Sequence, residues 1–469
     1  MLMNGEIIMG TTAKVTLINP PALQNVFHHH PYLPTGLAYL AAVLEEKGNQ
    51  VTVLDCIAEG IDQNLLKQKL AKLNPDIVGI SSMTPMVPST LMAARGAKEV
   101  CPDATVVLGG PHATFMDKEL LAAEPAVDVV VRGEGEVTLA ELTKRIVNNV
   151  GLNSASGITY RHQGQTVQNP PRGYIQNLDD LPFPAYNHFP LEKYRLFGKL
   201  FFPVITSRGC PFQCNFCTTS RILGKQYRVR SPQNIGHELE LLKREYNANS
   251  FTFYDDTLTL DKKRLYDICD EINSRKLNIP WDCQTRVDQV NQEMFTKMKK
   301  TNCQQVFFGV ESGCQNILNA VNKRTTVEQN EAAIKLAKKT GLFVAISIII
   351  GYPGETAMMR KETLDFIRRT EPDDVYLCVA TPYPGTELRT EVERLGYKIS
   401  PEWSHYDTTT PVFENPLLPD TEALQIRKNF YNSFYSPKYA LRHMFKRNFY
   451  SRIMSRVAVN HIIWRIKGH

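Results

Sequence analysis

Cys210, Cys214 and Cys217 lie together in the stretch RGCPFQCNFC, with the spacing C-x3-C-x2-C. Closely spaced thiolates on one loop are metal ligands by their chemistry, yet a closed zinc site or a fully ligated iron-sulfur cube takes four. Three thiolates on a cube leave one iron with an open position, and an open position is what a catalytic metal needs. The plainer alternatives are a zinc site completed by a distant ligand, or three buried and unligated thiols. Ten cysteines in 469 residues are too few for a disulfide scaffold, so a cluster among them points to metal or catalysis.

The elements that must carry this loop fall into two series. Between residues 10 and 150, β-branched runs (KVTLINP, QVTVLDC, DIVGISS, ATVVLGG, VDVVVRG) alternate with helical stretches. Five strands with helices between them predict an α/β domain with an open, doubly wound parallel sheet of the flavodoxin-like kind, whose ligands sit outside the carboxyl ends of the strands. Residues 151–195 are proline-rich and are expected to connect the domains. From 196 to 400, six further runs (FFPVITSRGC, SFTFYDD, PWDCQTR, QQVFFGVES, LFVAISIIIGYPG, DDVYLCVATPYPGT) alternate with helices, which predicts a partial (β/α)6 barrel left open short of eight units. The cysteines follow the first of these strands, at the end where barrel enzymes keep their chemistry. Residues 401–469 read as a small helical region.

The chain carries a formal net charge of +6, yet residues 438–469 alone hold eight Lys or Arg and no Asp or Glu. The remainder is therefore slightly acidic, which argues against a nucleic-acid-binding body. No apolar run reaches the eighteen residues of a membrane span, and the first fourteen residues lack a signal peptide's apolar core. The expected compartment is the cytoplasm.

On the cysteine motif and the six-strand series, residues 196–400 resemble the radical S-adenosylmethionine enzymes. The resemblance implies that Cys210, Cys214 and Cys217 hold a 4Fe-4S cluster whose fourth iron binds the amino and carboxylate groups of S-adenosylmethionine. An electron from the cluster then cleaves the sulfonium to a 5'-deoxyadenosyl radical. It further implies Phe216 near adenine, Asp255 and Asp256 at the methionine amino end, Arg286 at its carboxylate, Glu311 and Ser312 at the ribose, and Gly351 on the fifth strand. A capped helix start or an ordinary ion pair is the competing reading of each. One departure stands out: SIIIGYPGET matches the family's G-x-I-x-G-x-x-E imperfectly, with Ser347 for the first glycine and Glu355 one residue late.

The first domain lacks the G-x-G-x-x-G of dinucleotide sites after its first strand. SSM, GGPHAT and RGEGE instead resemble the cobalamin-binding domain, implying contacts from Ser81, Ser82, Thr84, Gly109, Gly110, Pro111, His112, Gly133 and Glu134. The D-x-H-x-x-G motif that supplies a cobalt-ligating histidine is absent, as is common in the cobalamin-dependent subgroup of radical enzymes. The triplet His28, His29 and His30 is a weak substitute, since adjacent imidazoles point in different directions.

Together the motifs resemble cobalamin-dependent radical S-adenosylmethionine proteins over about 400 residues, a group of methyltransferases and the anaerobic magnesium-protoporphyrin monomethyl ester cyclase. The expected activity is methyl transfer to an unactivated carbon of a small molecule, with oxidative cyclisation or rearrangement as the nearest rival and a non-catalytic corrinoid or redox sensor as a third. A flavodoxin or ferredoxin is the implied electron donor. The basic, aromatic-rich tail reads either as a helix packed on the barrel or as an interfacial helix at an anionic membrane.

Overall fold

The computed structural model describes residues 12–22, 32–446 and 448–466. The triplet His28 to His30 lies outside them. The chain divides into two compact units, one of residues 1–175 with 180–193, the other of 176–179 with 194–469.

The first unit is built on a seven-stranded sheet of β1 (Lys14–Asn19), β2 (Gln50–Asp55), β3 (Ile77–Ser81), β4 (Thr105–Gly109), β5 (Val129–Val131), β6 (Ile158–His162) and β7 (Gln165–Gln168), in the order β2-β1-β3-β4-β5-β6-β7. β1 to β5 pair in parallel, and their apolar runs are buried on both faces because helices cover the sheet on each side. The order 2-1-3-4-5 reverses direction between β1 and β3, and the crevice at such a switch point lies outside the carboxyl ends of these strands.

β6 and β7 correct the expectation that 151–195 only connects. ITYRHQGQTVQ forms an antiparallel hairpin that extends the first sheet beyond β5. Its turn residues Gln163 and Gly164 both have positive φ, 49° and 78°, as a two-residue type I′ turn demands. The prolines that suggested a linker begin only after the hairpin, at Pro170.

In the second unit β8 (Arg195–Leu196) leads antiparallel into β9 (Lys199–Val204). After a short ribbon of β10 (Ser207–Arg208) with β11 (Arg228–Val229), five more strands follow: β12 (Ser250–Phe253), β13 (Trp281–Thr285), β14 (Cys303–Glu311), β15 (Phe343–Ile350) and β16 (Asp374–Val379). The order β16-β15-β14-β13-β12-β9-β8 makes six parallel strands with β16 at one edge and β8 at the other, so the sheet is an open (β/α)6 array. Three helices end the chain, Asp420–Phe434, Pro437–Met444 and Phe449–Ile466. They pack near the strand starts, where Tyr450 donates to the Asp282 carboxylate and Tyr435 Oη lies 3.0 Å from Asp374 Oδ1. Burial pushes both carboxyls up to about 6. No helix among the described residues is long and apolar enough to cross a membrane.

Candidate functional site

The β10–β11 ribbon closes the base of the cysteine loop, pairing Ser207 with Val229 and Arg208 with Arg228. Gly209 makes the loop possible: its φ is +90°, and a Cβ there would fall 2.1 Å from the Gln226 carbonyl oxygen. Within the loop, Cys210 N–H donates to Gly224 O (3.0 Å), Asn215 N–H to Val321 O (3.0 Å) and Asn322 Nδ2 to Gln213 O (2.7 Å). The segment after β14 therefore straps the loop after β9.

The three thiols are half-buried and unpaired with one another. Burial pushes Cys210 up to about 11 and raises Cys214 and Cys217 as well, while the Lys323 and Arg286 cations pull Cys214 back. Among the described residues no three His, Cys, Asp or Glu side chains converge closely enough to hold one metal ion. A cubane takes each thiolate at a separate corner and so does not require the three donors to meet at one point. The donor set, three thiols on a pinned loop, fits a 4Fe-4S cluster, and loading it releases the thiol protons.

Lys323 and Ser347 hold Glu311 beside the cysteine loop. Lys323 Nζ lies 2.8 Å from Glu311 Oε1, both side chains 6% exposed, and Ser347 Oγ donates to Glu311 Oε2 at 3.0 Å. Glu311 has φ +67° at a register shift between β14 and β15, which turns its carboxylate toward Lys323. Sequence reading noted Ser347 only as a departure from a motif and missed Lys323. The signal for Lys323 was faint, a lysine in a loop that precedes the capping box of Thr326 and Gln329.

Several residues expected at S-adenosylmethionine have hydrogen-bond partners within the protein. Arg286 spends its bidentate face on Asp288, two residues on, at 2.9 and 3.0 Å, donates to Lys323 O at 2.7 Å and stacks 3.7 Å above Phe212. Its remaining nitrogen lies 3.9 Å from Cys214 Sγ, so it braces the cysteine loop. Asp255 is fully buried, accepts from Thr206 and Ser207, and has its carboxyl pushed up by burial; it ties β12 to the end of β9. Alternation along the chain leaves only Asp256 exposed, where it accepts from Thr219 Oγ1 at 3.0 Å. Ser312 is buried and occupied by Thr363 Oγ1 (2.8 Å) and Cys314 N–H (3.0 Å). Phe216 packs on the apolar cluster of Ile349, Tyr352 and Leu388. Gly351, φ +77°, donates to Glu355 Oε2 at 2.6 Å and accepts from Asn415 at 2.9 Å.

Beside the Glu311 pair the sheet carries an open surface. Gly309, Ser347 and Tyr376 stand in one row across β14, β15 and β16. The Glu311 and Lys323 pair lies over Gly309, and at the far side of the row Tyr376 is 52% exposed in mid-strand and meets Phe307 edge-on at 5.3 Å. Half-buried Cys378 shares this face. Cys283, on the other hand, is fully buried.

In the first unit the loops after β3, β4 and β5 meet. Ser82 N–H donates to Gly109 O (2.7 Å), and Ser82 O accepts from His112 N–H (3.1 Å). Gly110 has φ +103°, and a Cβ there would lie 3.1 Å from Ser82 O. Ser82 Oγ is buried with no partner among the described residues. Thr114 Oγ1 accepts from Gly133 N–H at 3.1 Å, joining the third loop. A backbone cradle kept clear by glycines, with an orphaned hydroxyl, fits cobalamin. Ser81 is half-buried at the rim, its carbonyl taking Thr90 Oγ1 at 3.2 Å. Thr84 and His112 are buried and pair at 3.3 Å, and burial lowers His112 to about 4. Pro111 starts the helix Pro111–Phe115, and Glu134 accepts from Ile175 N–H at 2.8 Å, clamping the chain after the hairpin.

Known proteins share both halves. The B12 binding domain matches residues 29–143, and the Radical SAM superfamily matches residues 204–367. The chain is 36% identical over 414 residues to an uncharacterized methyltransferase of Pyrococcus horikoshii, covering 88% of this chain and 90% of that protein. It is 30% identical over 430 residues to the anaerobic magnesium-protoporphyrin IX monomethyl ester cyclase of Rubrivivax gelatinosus, covering 88% and 76%. Its fold resembles the radical S-adenosylmethionine methyltransferase TsrM from Kitasatospora setae, solved with cobalamin and a 4Fe-4S cluster, with TM-score 0.73 at 18% identity over 91% and 90% of the chains. With the cysteine loop and the glycine cradle on one polypeptide, the chain belongs to the cobalamin-dependent radical S-adenosylmethionine enzymes, and its cofactors are a 4Fe-4S cluster, S-adenosylmethionine and cobalamin.

Proposed function

We propose that this enzyme transfers a methyl group to an unactivated carbon of a small molecule. The observation that carries the reading is the 36% identity to the uncharacterized methyltransferase of Pyrococcus horikoshii, over nine-tenths of that protein's length. When bound, the cluster and S-adenosylmethionine supply radical chemistry and cobalamin supplies a methyl carrier, which an unactivated carbon requires.

The protein's part is to hold and orient. Cys210, Cys214 and Cys217 ligate the cluster, and Arg286 fixes Cys214 by bracing the loop through Phe212 and Asp288. Exposed Asp256 would offer a carboxylate to the ammonium of the methionine end, and Glu311, held by Lys323, would accept hydrogen bonds from the ribose hydroxyls. Gly351 keeps the end of β15 free of a side chain. Ser82, Gly109 and Gly110 hold the cobalamin tail. Tyr376, Phe307 and Ser347 form the wall against which the substrate carbon skeleton packs. A flavodoxin or ferredoxin provides the electron.

The second reading, oxidative cyclisation, rests on the 30% identity to the cyclase. Anaerobic reconstitution with iron, sulfide and cobalamin separates the two. Methyl transfer yields 5'-deoxyadenosine together with S-adenosylhomocysteine and a product heavier by one CH2. The appearance of 5'-deoxyadenosine alone, with no methylated product, selects cyclisation. Neither product, with both cofactors bound, assigns the chain to sensing.

A further inference from the structure

The two helices that end the chain have one face turned inward and one turned out. They pack together through Tyr439, Ala440 and Ala458, with Ser455 Oγ donating to Ala440 O at 3.0 Å. On Pro437–Met444 the buried residues are Tyr439, Ala440 and His443. Lys438, Leu441, Arg442 and Phe445, spaced i, i+3, i+4 and i+7, form the opposite side, with Met444 at its margin. Leu441 is 58% exposed, Met444 51% and Phe445 78%. On Phe449–Ile466, Arg452, Arg456, Val459 and Ile463 are exposed at i, i+4, i+7 and i+11, and Trp464 beside them is 49% exposed.

Large apolar side chains exposed together mark a surface that something covers. The charge around them says what. Residues 438–469 hold no Asp or Glu. Arg442 and Lys446 are drawn inward to Glu371 (3.2 Å) and Asp373 (2.9 Å), while Lys438, Arg452 and Arg456 are exposed on the same two helices, Arg456 lying 6.0 Å above the ring of half-exposed Phe197. A protein interface also takes Arg beside Phe, Met and Trp but is depleted in Lys, whereas a segment with eight Lys or Arg and no acid is matched by a uniformly anionic surface. An anionic bilayer instead accepts Phe, Leu and Trp at its headgroup boundary while attracting the Arg and Lys interleaved with them. Since no described helix is able to span a bilayer, these would lie on it.

We propose that the exposed faces of these two helices dock the enzyme on an anionic lipid surface, with Leu441, Met444 and Phe445 entering the headgroup boundary and Lys438, Arg452 and Arg456 above it. Anaerobic co-sedimentation of the full-length holoenzyme tests this, using phosphatidylcholine vesicles with and without phosphatidylglycerol. The enzyme is expected to pellet with the mixed vesicles, weakly with phosphatidylcholine alone, and less as salt rises. Leu441→Asp with Phe445→Asp should lower partitioning at least about tenfold. Arg452→Gln and Arg456→Gln should each lower it about fivefold. All four positions are exposed, so thermal unfolding of the variants should match the parent. No pelleting, equal pelleting with both vesicle types, or variants that pellet like the parent would overturn the proposal. So would a parent dimer in gel filtration that the Leu441→Asp, Phe445→Asp variant makes monomeric, which would give this face to a second copy of the chain.

Discussion

The buried pair of Lys323 and Glu311 offers a sharp test of how the region beside the cysteine loop is held. Both side chains are 6% exposed, the Nζ to Oε1 distance is 2.8 Å, and Ser347 donates to the other carboxylate oxygen at 3.0 Å. The pair packs directly over Gly309, where a Cβ would sit 2.5 Å from Glu311 Oε1 and 2.6 Å from Lys323 Nζ. Lys323→Met keeps the length of the stem but leaves a buried carboxylate with a single hydroxyl partner, a loss of about 3–5 kcal/mol. At roughly 2–4 °C per kcal/mol for a unit of this size, the second unit should melt on the order of 10 °C lower. The variant also removes a cation that favours the Cys214 thiolate, so iron retention should fall in parallel. The decisive measurement is a double-mutant cycle in denaturant. Lys323→Met combined with Glu311→Leu replaces both charges by apolar groups and should recover most of the loss, so that the double variant loses less than either single one. Both Glu and Leu carry a Cβ, so the positive φ at position 311 does not bias the comparison. If the two single losses simply add in the double variant, the pair is not the compensated unit described here.

Gly110→Ala forces a side chain into a backbone region that costs about 1–3 kcal/mol and within 3.1 Å of Ser82 O; cobalamin recovered with the protein after gel filtration should drop sharply while iron content is unchanged. Glu355 is held up to about 7, chiefly by burial, against an ordinary value of 4.5. Its folded form keeps the proton to higher pH than the unfolded chain does, so its contribution is full below about pH 4.5 and is lost as pH rises through 7. At about 1.4 kcal/mol per unit the loss is about 3 kcal/mol, and Glu355→Gln should gain on the parent in denaturant midpoint between pH 5 and pH 8; parallel profiles would contradict this. Tyr376→Ala should leave stability within about 1 kcal/mol, leave cleavage of S-adenosylmethionine intact and raise the substrate KM about tenfold; an unchanged KM would remove Tyr376 from the substrate wall.

Much of the architecture is legible along the chain. Alternating β-branched runs and helical stretches are local patterns, and they predict both parallel sheets because each strand needs an apolar run wherever helices cover both faces. The hairpin of 158–168 was legible as well, from its alternation and its Gln163-Gly164 turn, but the prolines that follow it drew attention away. The cysteine spacing likewise states its chemistry without a fold, since thiolate donors four and three residues apart share one loop wherever it lies.

What a side chain does once the loops close is another matter. Asp255 and Asp256 are neighbours of identical type, yet one is sealed beneath Thr206 and Ser207 and the other faces out. Arg286 has the chemistry to grip a carboxylate, and the carboxylate it grips is its own neighbour Asp288. Lys323 gains its place only because the segment after β14 crosses the cysteine loop and brings its ammonium to Glu311. Residue types and their periodicity determined which groups exist and which face of an element they occupy. Only the packing of segments far apart in the chain decided their partners, because burial makes every charge and hydroxyl take the nearest group able to satisfy it.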